Sequence, residues 1–229
     1  MRLPAVRAIA FIPTKNIWES LTKAPSRCSA LAQSGLLRYD SRHAQRCESH
    51  KFRTRKPCRF ALLIGRNNRN GADRVDFTPV PTTVEALGAL SRPARTPQLS
   101  RVSPVEFTTY QIDAYLGGFR RESDGDVHLI LFGMKNQRAS MIAEIPDPFC
   151  SGACASGLSA DFAKARAILD QILAEPNPTD QPIVVRVTGV GFFDRNHRQI
   201  GAAPNIIELH PVLTLERMRP TSTPNYPSH

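Results

Sequence analysis

The chain has 229 residues, 41% of them hydrophobic, and a formal net charge of +10. No run approaches the roughly 18 apolar residues a membrane-spanning helix needs, so no such span is expected. The opening stretch MRLPAVRAIAFIPTKNIWES is broken by Arg7 and Pro13 and offers no small-residue cleavage site. No signal peptide is expected from it, and as written the chain reads as cytoplasmic.

The charge is divided unevenly. Residues 1–103 hold 19 Lys or Arg against 6 Asp or Glu, a net +13, whereas residues 104–229 hold 11 against 14, a net −3. Generic attraction to nucleic acid is therefore expected only from the front half. That half shows no sustained period of 3.6 or 2, and prolines recur in it. Short helices are conceivable at residues 18–23 and 83–90, but neither carries enough apolar surface to build a core. The expectation is a basic, largely disordered region over 1–103. Fifteen of its 19 basic residues are Arg, with scattered Cys and Pro, which equally fits a translation start assigned too far upstream. A mass measurement on the native protein separates the two.

From Val105 the pattern changes. In VEFTTYQIDAYLGGF, Ile112, Ala114 and Leu116 alternate as in a half-buried strand, and Gly117-Gly118 marks a bulge. RRESDGD is a polar turn, in which Asp124 and Asp126 read as a solvated turn rather than a calcium loop, since the twelve-residue register is missing. A second strand is expected at 127–132 and a third at 139–145, ending at Pro146. The loop PDPFCSGACASGL contains Cys150 and Cys154, which could close a small disulfide or remain reduced thiols. In SADFAKARAILDQILAE, residues Phe162, Ala165, Ile168, Leu169 and Ile172 share a helical face, with Ser159 as the expected N-cap and Pro176 as the stop. Strands at 182–193 and 206–216 follow, and residues 218–229 read as a disordered tail.

The order is strand, strand, strand, helix, strand, strand. This is the order of a five-stranded OB-like barrel, which also removes the exposed edges of so short a sheet. An open α+β sandwich is the alternative. The domain is expected to span 104–217.

The segment GVGFFDRNHRQIGAAPNIIELHPV, with GDVHLIL and AEIPDP upstream, resembles the motif of an uncharacterised bacterial OB-like domain family. The resemblance covers about residues 107–216. It implies the barrel and, since relatives are often exported, an envelope or extracellular location; it implies no particular reaction.

Two readings of this segment compete. Strand alternation puts Glu208 and His210 on one face, and a returning loop could bring Asp194 and His197 to them. Two imidazoles and two carboxylates suit zinc or manganese, with His128 as a further ligand, and would make a metal-dependent hydrolase of nuclease type. The plainer account has Asp194 and His197 pinning their loop, Glu208 pairing with Arg186 or Arg198, and the His210 ring bonding nearby backbone. No spacing matches a known zinc signature, so the plainer account is preferred, with no cofactor. The chain then reads as a non-enzymatic OB-like binding or interaction module. Its candidate contacts are Phe192 and Phe193 for stacking, with Arg120, Arg121, Arg195 and Arg198 for phosphates. The partner is either nucleic acid, met through the basic front half, or a protein.

Overall fold

In the computed structural model, the described residues are 72–94, 101–175, 182–195 and 199–218. The alternation of apolar residues from Val105 onward does build a barrel. Strand β2 (Thr108–Arg121) is followed by β3 (Val127–Gly133) and β4 (Ser140–Ile145). Two helices, α2 (Ser151–Ser156) and α3 (Ser159–Ala174), lead to β5 (Ile183–Phe193) and β6 (Ile207–Met218). Antiparallel pairings join β2 to β3, β3 to β4, β5 to β6 and β2 to β5, and a short parallel pairing of β4 with β6 closes the ring. The fold is mainly β, a closed five-stranded barrel with one main helix, and the open-sandwich alternative is set aside. The expected bulge is present, because the β2–β3 register shifts between Leu116 and Gly118.

One face of each strand fills the barrel. Ile112 and Ala114 of β2, Leu129 and Leu131 of β3, Met141 and Ala143 of β4, Val185 and Val187 of β5 and Leu209 of β6 are all buried in one cluster. Helix α3 adds Ala165, Leu169 and Ile172 to it, as its apolar stripe requires.

The structure corrects several expectations. Residues 76–90 do not stand apart from the barrel, as a boundary at 103 would have them. Strand β1 (Asp76–Thr82) pairs in parallel with β2, and helix α1 (Val84–Gly88) buries Val84 and Leu87 in the barrel core. Only two apolar side chains are needed, because the rest of that core is supplied by the barrel. Ser159 does not cap α3. Leu158 holds the cap position without a side-chain bond, and the Ser159 hydroxyl instead donates to the Pro148 carbonyl at 2.7 Å. The cysteine loop is ordered as α2, with Cys150 at its N-cap, and both Cys150 and Cys154 are disulfide-bonded. The basic residues before 72, the expected helix at 18–23 and the expected tail beyond 218 lie outside the described residues.

Candidate functional site

The polar residues of β3, β4 and β6 alternate with core residues, so they project from the outer face of the barrel. Register then decides which of them meet. His128 of β3 lies directly opposite Glu144 of β4. Ile142 and Ala143 of β4 lie opposite Glu208 and Leu209 of β6, which carries His210 toward Glu144. Across the other edge of β6, Phe192 of β5 pairs with Glu208. The result is one row of side chains, His128, Glu144, Glu208 and His210, with Asp126 joining from the turn ahead of β3. All five are buried.

The contacts within the row are close. His128 Nε2 is 2.9 Å from Glu144 Oε2, and its Nδ1 is 3.6 Å from Glu122 Oε1. His210 Nδ1 lies 3.1 Å from Glu208 Oε1 and 3.5 Å from Glu144 Oε2. Asp126 Oδ1 accepts the Asp147 N–H at 2.6 Å. Its Oδ2 is buried and, among the described residues, has no hydrogen-bond donor facing it, while the carboxyl meets that of Glu144. The edge of Phe192 closes on the His210 ring, with centroids 5.5 Å apart at 77°.

Burying five ionisable groups is costly unless they neutralise one another. The titration of the cluster reflects that. Burial drives the Asp126 carboxyl up to about 7, with His210 opposing and the charge of Glu144 adding. Burial likewise lifts Glu208 to about 7 against its bond to His210, with the charges of Glu144 and Asp194 adding to the rise. Burial would raise Glu144 too, but the charge of His210 and the bond and charge of His128 hold it at about 2. For His210 burial works downward, yet Glu144, Glu208 and Asp126 carry it up to about 10. His128 is raised in the same way, by its bond to Glu144 outweighing burial. At neutral pH Glu144 is therefore a carboxylate facing the His210 imidazolium and bonded to the His128 ring, while Asp126 and Glu208 are partly protonated.

The connection from β5 to β6 returns across this face. Asp194 N donates to the Ile206 carbonyl at 3.1 Å. Gly201, at φ +87°, sits against Ile130, where an added Cβ would stand 2.5 Å from the Ile130 methyl. Glycine is required there for both conformation and space. Asn205 anchors the far end: its amide donates to the Leu87 and Leu90 carbonyls at 2.8 and 3.0 Å, and its Oδ1 accepts the Ile207 N–H. Under the loop, Ile142, Asp194, Arg195, Gln199 and Glu208 help line a pocket of about 10 Å³, room for one water molecule.

The residues singled out from sequence are distributed as follows. Glu208 and His210 do converge, and Asp194 stands close enough to raise the Glu208 carboxyl. His197 and Arg198 lie outside the described residues. Glu208 does not pair with Arg186, which instead makes a two-pronged bond to Asp113 at 2.7 and 2.9 Å. The His210 ring meets carboxylates rather than backbone alone. Phe193 is buried in the core and Phe192 is half-buried on His210, so no open aromatic platform forms from the pair. Arg120 and Arg121 are exposed but paired, with Glu122 and Asp170 respectively, and Arg195 is exposed.

Sequence reasoning missed Asp126 and Glu144. Asp126 is buried rather than solvated. The available signal was the alternation of AEI against the core residues of β4, which places Glu144 on the same outer face as Glu208. No protein-family model matches the chain, and no curated protein matches it. Among the described residues, no helix is long and apolar enough to cross a membrane.

Proposed function

We propose that the barrel is a non-enzymatic OB-like binding module whose ligand seat is the outer face of β3, β4 and β6. The observation that supports this is the buried row of Asp126, His128, Glu144, Glu208 and His210. In OB barrels that face, between the first and last interstrand loops, is where ligands bind. Here those two loops are the β2–β3 turn, which delivers Asp126, and the β5–β6 connection, whose Gly201 packs on Ile130 and whose Asp194 stands near Glu208. A packed hydrophobic face would be at least as stable as this set of charges, so stability alone does not account for it.

The competing reading is a metal-dependent hydrolase, favoured by the contact of Glu208 with His210 and the closeness of Asp194. One experiment separates them. The ring signals of His128 and His210 in the full chain are followed by NMR while divalent cations, single-stranded oligonucleotides and oligosaccharides are added in turn. The expected result is that one class shifts both rings and no class is turned over. Hydrolysis of a phosphodiester or ester that disappears in a folded His210→Gln variant would overturn the reading. So would ligand binding that leaves both rings unmoved.

A further inference from the structure

Asp126, Glu144 and His210 come from three separate segments, yet one ligand atom from each lies within 4.8 Å of the other two, and all three residues are buried. This set differs from the Asp194, His197, Glu208 and His210 set that the sequence suggests. Two features point to a ligand. First, among the described residues no hydrogen-bond donor faces the buried Asp126 Oδ2, and its carboxyl abuts the carboxylate of Glu144. Two acidic groups in buried contact need a proton or a cation between them. Second, the spacing suits an ion. A tetrahedral ion with donors at ~2.0 Å keeps them about 3.3 Å apart, and His210 Nδ1 already stands 3.5 Å from Glu144 Oε2.

We infer that Asp126, Glu144 and His210 form a non-catalytic site for one divalent cation of the zinc or manganese kind. The inference rests on the binding-module reading and names its ligand. One imidazole with two carboxylates is a nitrogen and oxygen set that suits these ions, and two carboxylates balance a charge of +2. His128 completes the site from outside: its Nε2, 2.9 Å from Glu144 Oε2, holds that carboxylate in place. Arg166 supports the other side by donating to the Gly125, Ile145 and Pro146 carbonyls, which fixes the turn carrying Asp126 against the end of β4. The cation would tie the β2–β3 turn to β4 and β6, the three segments that frame the binding face.

The test uses the full chain stripped with a chelator and titrated with Zn²⁺ and Mn²⁺ by calorimetry. The expected result is one ion per chain, a higher melting temperature, and affinity weakened at least ~10-fold by Asp126→Asn and by Glu144→Gln. Asp126→Asn preserves the acceptor for the Asp147 N–H, so it is the variant suited to keep the fold. Independently of any variant, Mn²⁺ should broaden the His210 and His128 ring signals first. Binding unchanged in both variants, or a thiolate charge-transfer band with Co²⁺ that places the ion on cysteines, would overturn the assignment. If the two rings answer to an organic ligand and to neither ion, the cation is wrong and the binding face stands. If they answer to nothing, both fail.

Discussion

At the scale of single residues, the proton inventory of the cluster makes its members unequal. Glu144 is the group that is ionised, facing the His210 imidazolium, while Asp126 and Glu208 are partly protonated near neutrality. In the metal-free chain, Glu144→Gln should therefore cost about 3–5 kcal/mol, because it strands buried positive charge. Glu208→Gln mimics the protonated acid and should cost under about 1 kcal/mol. Chemical denaturation of the two variants in the presence of chelator checks this. Equal losses would show that the proton is placed on the wrong carboxyl. Glu208 and His210 were legible as a pair, since strand alternation requires it. Alternation in β4 could put Glu144 on an outer strand face, but its meeting with the pair, and that of Asp126, depends on the β3–β4 and β4–β6 registers, which no local pattern encodes.

At the scale of elements, the strands and α3 announce themselves through period 2 and period 3.6, and those expectations agree with the structure to within about three residues at either end. Helix α1 was foreseen but undervalued. Its two apolar side chains look insufficient alone, yet Val84 and Leu87 are 1% and 2% exposed because the barrel supplies the remaining wall. Leu87→Ala should destabilise the chain by about 2–5 kcal/mol. A change within the noise of a melting curve would return the domain boundary to residue 104. The APN turn has its reason here too, since Asn205 bonds the carbonyls that end α1. The cysteine loop is a further case: Cys150 and Cys154 are disulfide-bonded, and a bridge that closes only their own short loop should stabilise by about 2 kcal/mol at most. A reductant should lower the melting temperature by a few degrees. Unfolding on reduction would mean the bridge holds more than its own loop.

At the scale of the whole molecule, the cluster should set the pH profile of the metal-free chain. Asp126, Glu208 and His210 have folded pKa values above their ordinary ones, so the stability they contribute is fully present at low pH and is lost as pH rises. The windows are about 4 to 7 for Asp126 and Glu208, and about 6.5 to 10 for His210. Glu144 works in the opposite sense, and its contribution is lost as pH falls from 4.5 to about 2. Melting temperatures in chelator should peak near pH 4 to 5 and decline steadily toward pH 10. A broad maximum at pH 7 to 8 would contradict the assigned shifts. The charge division along the chain adds a second consequence. Any salt-sensitive binding of nucleic acid should come from the basic residues of the front half, because the domain after residue 103 carries a net −3.

The central claim is that the outer face of β3, β4 and β6 is built around a cation. An anomalous difference map from crystals of the full chain grown with Zn²⁺ tests it most directly. The expected result is a single strong peak about 2.0–2.2 Å from carboxylate oxygens of Asp126 and Glu144 and from a ring nitrogen of His210. A map with no peak there, and with the Asp126 and Glu144 carboxyls still in contact, would contradict it.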